Sequence, residues 1–150
     1  MKFERILWIL CIVAAMTAPT VRTNAAAESP LWKDDIVSAL QGAKEKQSLV
    51  LVDFYAPWCY SCYFMAQNVL NQPEFRALRG KIEPVKVDVD SPEGMRLKQE
   101  WAVHFLPTYV ILNSNREEVG RVIGEQVRAD FYTQLRSILS KHSTLADLEA

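Results

Sequence analysis

The apolar run Leu49-Val50-Leu51-Val52-Asp53-Phe54-Tyr55-Ala56 leads straight into Pro57-Trp58-Cys59-Tyr60-Ser61-Cys62, and this junction constrains the chain more than any other feature. A short apolar run interrupted by a single acid reads as a buried strand. Two thiols three positions apart, where a strand turns into a helix, can close a disulfide across one helical turn. The first thiol then lies over the helix N-terminus, where unpaired N–H groups and a macrodipole of roughly half a positive charge favour a thiolate. Such a thiolate can attack a disulfide in another protein, and a second thiol within reach can resolve the mixed disulfide. Cys59 is thus the expected attacking sulfur, partly exposed, and Cys62 the resolving one, buried against the sheet.

Other uses of the two cysteines fit less well. A purely structural bridge would close a tiny loop, where loop-closure stabilisation is smallest. Zinc needs four ligands, and one Cys-x-x-Cys supplies two. The only histidines, His104 and His142, have no ligand-like spacing. Copper tolerates two thiolates but finds no Met or His cluster behind them. No metal and no cofactor is expected.

The N-terminus reads as an export signal over residues 1–27. Lys2 and Arg5 precede the apolar stretch from Ile6 to Ala18, and Ala25-Ala26-Ala27 offers small residues for cleavage before Glu28. As a helix the stretch would rise only about 20 Å, short of a hydrocarbon core of roughly 30 Å, so an uncleaved anchor is the lesser alternative. Cys11 would leave with the signal. The remaining chain, residues 28–150, suffices for one compact domain. Cleavage lowers the 17 Lys+Arg by three and the 18 Asp+Glu by one, giving a charge of about −3. Without a basic cluster, nucleic acid is not an expected partner. Both remaining cysteines lie in the motif, and export (to a periplasm or its equivalent) places them where disulfides persist.

No repeat or Gly/Ser linker divides residues 28–150. Asp34 or Asp35 can cap a helix running to Lys46, with Ile36, Val37, Leu40 and Ala43 at helical spacing. Strand signals cover Leu49–Tyr55, Ile82–Val89, Thr108–Leu112 and Glu118–Ile123, the last two joined as a hairpin by Asn113-Ser114-Asn115. Helix signals cover Cys59–Leu70, with Cys62, Met65, Ala66 and Val69 on one face, then Pro73–Leu78. A further helix starts at Ser91-Pro92-Glu93 and carries Met95, Leu97 and Trp101, and another spans Arg128–Lys141. The order predicts an α/β domain: a mixed sheet with helices on both faces, and a loose tail from His142 to Ala150.

Over about residues 34–140 the sequence resembles the thioredoxin superfamily. Val52-Asp53-Phe54-Tyr55-Ala56-Pro57-Trp58-Cys59 with Cys62 is similar to its active-site strand and helix start, and Val85-Lys86-Val87-Asp88-Val89-Asp90 to its central strand. Phe105-Leu106-Pro107-Thr108 is similar to its cis-proline loop, and Gly124 to the glycine after the last strand. The helix leading into the strand, and Val69-Leu70-Asn71-Gln72-Pro73-Glu74-Phe75, look most like the C-terminal domain of the thiol:disulfide interchange protein DsbD and small exported relatives. Tyr60-Ser61 stands where thioredoxin has Gly-Pro, Tyr63 where it has Lys, and Ala66 where the DsbD domain has an acid.

The resemblance implies a thioredoxin fold and a role for each motif residue. Asp53 would relay the proton of Cys62, since burial raises a carboxyl pKa, with Lys86 as its electrostatic neighbour. Trp58 would shield the sulfur and meet partners, its alternative being a core aromatic. The bond before Pro107 would be cis, exposing the Leu106 backbone to an extended client peptide, as in strand addition, while the Leu106 side chain shapes partner preference. The implied activity is thiol–disulfide exchange with disulfide-containing client proteins, by a monomer for which a membrane reductant conductor of the DsbD type is a candidate electron source. Because Tyr60-Ser61 adds no charge, a reductant or electron carrier is favoured. The alternatives are a dithiol oxidase and a non-catalytic peptide- or metal-binding module.

Overall fold

The computed structural model describes residues 31–33 and 35–146, with side chains as far as His142. The expected signal segment 1–27, Cys11 and Asp34 lie outside the described residues. Four strands form one sheet: β1 (Leu49–Tyr55), β2 (Ile82–Asp88), β3 (Thr108–Leu112) and β4 (Glu118–Ile123), in the order β2-β1-β3-β4. β1 runs parallel to β2 and antiparallel to β3, and β3 runs antiparallel to β4. β1 is therefore interior, which explains why its central residues, Asp53 included, are all buried.

The helices are α1 (Ile36–Lys46), α2 (Tyr60–Met65), α3 (Pro73–Arg76), α4 (Pro92–Glu100) and α5 (Arg128–Ala146). Two apolar layers sandwich the sheet. Val50, Val52 and Phe54 pack with α1 and with Leu97 and Trp101 on one side. Leu51, Tyr109 and Ile111 pack on the other with Met65, Val69, Phe75, Phe131 and Leu135. Alternation along β1 turns Asp53 to the second layer, beside Leu51.

Several boundaries follow local chemistry. Asp35 caps α1, its Oδ1 accepting from the Ser38 N–H at 2.8 Å, and these hydrogen bonds hold its carboxyl below the usual range. Ser91 caps α4 in the same way through the Gly94 N–H, with Pro92 opening the first turn. Pro84, which donates no N–H, sits in edge strand β2, where its carbonyl accepts from the Lys33 N–H at 2.7 Å. Glu83 beside it is buried yet ion-paired to Lys33 at 3.2 Å and Lys46 at 2.7 Å, tying the segment before α1 to the sheet.

Departures from the sequence reading have physical causes. Val37 and Met95 lie exposed, while α1 turns Ile36, Ala39, Gly42 and Ala43 to the sheet. The helix after the cysteines changes pitch: α2 passes into a π-helical turn over Ala66–Leu70, where Ala66 is only partly buried. The Tyr132 hydroxyl donates to the Val69 carbonyl at 2.7 Å and locks that turn to α5. α3 ends at Arg76 and β2 at Asp88, while α5 continues to Ala146 instead of loosening from His142. Among the described residues no helix is long and apolar enough to cross a membrane.

Candidate active site

Cys59 is itself the N-cap of α2: its Sγ accepts the Cys62 N–H at 3.1 Å, filling the place of a capping oxygen. The chain reaches it through a tight turn closed by the Cys59 N–H on the Ala56 carbonyl at 3.1 Å. The two sulfurs form a disulfide across the first helical turn, with Cα atoms 5.2 Å apart. Burial does not separate them, since Cys59 is 8% and Cys62 7% exposed. The surface does: Cys59 lines an open groove of about 400 Å³ formed with Trp58, Tyr60, Ser61, Lys98, His104, Phe105 and Leu106, and Cys62 does not.

The groove unites three segments distant in sequence. The loop before β3 supplies Phe105 and Leu106, and the Leu106–Pro107 bond is cis. Two hydrogen bonds hold this loop: Thr108 Oγ1 donates to the Phe105 carbonyl at 2.8 Å, and the Gly124 N–H donates to the Pro107 carbonyl at 2.8 Å. Gly124 has φ +79, a backbone conformation that glycine adopts without strain.

Trp58 is not a core aromatic: it is 72% exposed, and its Nε1–H donates to Asp90 Oδ2 at 2.7 Å. Tyr60, Tyr63 and Phe105 are also exposed, so aromatic rings surround the disulfide. The cysteine pattern alone did not point to this rim. Helical spacing contained the signal, because Tyr60 and Tyr63 fall on the side of α2 opposite Met65 and Val69. Lys98 and His104 were likewise missed; α4 brings Lys98 to the groove, and the loop before β3 brings His104.

Asp53, within β1, is 4% exposed, and its Oδ1 has no hydrogen-bond partner. Burial pushes its carboxyl up to about 7, and the Lys86 charge, from the register partner in β2, pulls the other way. Tyr109 stands opposite on β3 with its hydroxyl also unpartnered. Burial, and then the charge of Asp53, push that hydroxyl up. A carboxyl with a pKa near neutrality can take and return a proton at working pH. Among the described residues no cluster of His, Cys, Asp and Glu could hold a metal ion.

Comparison with known proteins agrees with this geometry. A thioredoxin-like family model matches residues 31–114. Thioredoxin H1 of Arabidopsis thaliana is 34% identical over 104 residues, covering 69% of this chain and 81% of that protein. A thioredoxin from Thermus thermophilus superposes with a TM-score of 0.68 at 32% identity, covering 77% of this chain and 91% of that one. The oxidised C-terminal domain of Neisseria meningitidis DsbD superposes with a TM-score of 0.57 at 26% identity, covering 67% and 90%.

Proposed function

This chain belongs to the thioredoxin-like family, and we propose that it works as an exported reductant or electron carrier for protein disulfides. It is a thiol–disulfide oxidoreductase of the thioredoxin fold, with Cys59 and Cys62 as its redox pair. In the proposed cycle the Cys59 thiolate attacks a client disulfide, forming a mixed disulfide and releasing one client thiolate. Asp53 takes the proton from Cys62, whose thiolate attacks Cys59 Sγ. The second client sulfur leaves and is protonated, and the domain ends as the Cys59–Cys62 disulfide. Leu106, beside Cys59 in the groove, would contact the client, with Pro107 behind it.

The observation that carries the reducing direction is the uncharged pair Tyr60-Ser61 between the cysteines, which adds no charge beside the sulfur. Strong oxidants stabilise their thiolate further, with charge close to the sulfur, and so favour their reduced form. Equilibration with glutathione should place the potential near the reducing end of the range of about −270 to −120 mV. A value near the oxidising end would make the protein a dithiol oxidase.

Export rests on the basic start, apolar stretch and Ala25-Ala26-Ala27 site. The mature protein should begin near Glu28 in the exported fraction, whereas an intact Met1 in membranes would establish an anchored form. A membrane reductant conductor is the proposed electron source. Trapping with Cys62→Ala should capture both clients and donor as unresolved mixed disulfides.

A further inference from the structure

The side chain best placed to neutralise Asp53 is engaged elsewhere. Lys86 stands directly across from Asp53 in the β1–β2 register. Its Nζ nevertheless lies over aromatic rings, 5.0 Å from the Trp32 centroid and 5.6 Å from that of Tyr55. Asp53 Oδ1 is left without a hydrogen-bond partner. Trp32 is itself held firmly. It stacks on Phe75, with centroids 5.3 Å apart and planes inclined by 16°. The next residue, Lys33, is bound to β2 by its N–H on the Pro84 carbonyl and its ion pair with Glu83.

We propose that Trp32 and Tyr55 form an aromatic cradle that holds the Lys86 ammonium off the Asp53 carboxyl, leaving that acid unpaired. Both are positioning residues that act through Lys86, and the consequence for catalysis rests on Asp53 being the proton relay. The ring faces attract the ammonium electrostatically while its exposed head stays hydrated. Direct pairing with a cation within about 4–6 Å lowers a carboxyl pKa by about one to three units. Asp53 would then remain ionised at neutral pH and could not hold the Cys62 proton. From its position on the rings, Lys86 offsets only part of the effect of burial, and the carboxyl stays near 7.

Other groups facing Asp53 do not take over this role. Tyr109 faces it from β3, and Tyr55 lies two residues along its own strand. Both hydroxyls are pushed above their ordinary values, by burial first, and stay neutral through the working range. Asp88 pairs in register with Tyr55 and accepts the Asp90 N–H at 3.0 Å. On α2, Tyr60 and Tyr63 are exposed, and Cys62 in the disulfide form does not titrate.

The experiment is a carbon NMR titration of the Asp53 side-chain carboxyl in the oxidised full chain. Trp32→Leu should lower the midpoint by about one pH unit or more, as Lys86 swings onto the carboxylate. Trp32→Phe, which keeps a ring, should lower it less. Lys86→Met should raise the midpoint, and adding Trp32→Leu to Lys86→Met should then change nothing. An unchanged or raised midpoint in Trp32→Leu overturns the cradle, as does a shift that persists without Lys86. Should Trp32→Leu fail to fold, Tyr55→Leu is read by the same criteria. Activity plays no part in this readout. If Asp53→Asn proved kinetically silent, the relay would fail while the titration still judged the cradle.

Discussion

The Cys62 backbone N–H donates to Cys59 Sγ at 3.1 Å, so the helix start and the reactive sulfur are one structural unit. A thiolate at Cys59 would keep this donor and gain the charge-assisted strength that a disulfide sulfur lacks. Iodoacetamide should therefore label Cys59 in the reduced protein, with an apparent pKa well below about 8.5. Peptide mapping of the alkylated protein across pH decides it, and preferential labelling of Cys62 would reverse the two roles. Cys59→Ala should also abolish reduction of insulin disulfides by the dithiothreitol-fed protein.

Asp53→Asn should slow resolution and stabilise the oxidised protein at once. The native carboxyl is raised from 3.8 to about 7, so its protonated form is the one that folding favours. Its contribution is fully present below about pH 4 and is lost as pH rises through 7. Removing the ionisable group should thus add up to about 4 kcal/mol above pH 7 and little at pH 4. Urea unfolding at both pH values tests this. In turnover the mixed disulfide should accumulate and the pH–rate profile flatten near neutrality. Unchanged kinetics from pH 6 to 9 would reduce Asp53 to a structural residue.

Trp58→Phe should lower kcat/KM severalfold on a protein disulfide while leaving the rate with a small aromatic disulfide nearly unchanged. Phenylalanine keeps a ring in the groove but loses the bond to Asp90, which fixes the indole at the rim. Asp90→Asn should show a weaker form of the same split. Equal losses on both substrates would mean that Trp58 acts on the sulfur itself, not on the client.

Gly94→Ala should destabilise the fold by about 1–3 kcal/mol, despite alanine's higher helix propensity. A Cβ at this position would overlap the Asp88 carbonyl, which also accepts the Ser91 hydroxyl in the cap of α4. The same turn carries Asp90, so thermal unfolding and client turnover should both suffer. An unaltered melting temperature would mean that the turn yields freely.

Local pattern made most of the architecture legible. β1, β3 and β4 run where their apolar and β-branched residues lie, because a two-residue period and turn residues act over a few positions. The caps at Asp35 and Ser91 were readable for the same reason. What sequence alone left open was how residues far apart in the chain meet. The cysteine spacing determined that a disulfide could close at a helix start, but the 8% and 7% exposures do not rank its two sulfurs. Of the two, Cys59 lines the groove, a placement that depends on segments brought together by packing. A hydrophobicity pattern treats Trp58 as it would any core aromatic, and only packing, with Asp90 as its partner, turned it outward. Lys86 and Asp53 were identifiable as neighbours from resemblance, yet the lysine's aromatic contacts depend on Trp32, more than fifty residues earlier. Short-range periodicity determined the elements of this protein. The charge environment of its buried acid was decided by the tertiary structure, because electrostatics depends on distances in space that no local pattern encodes.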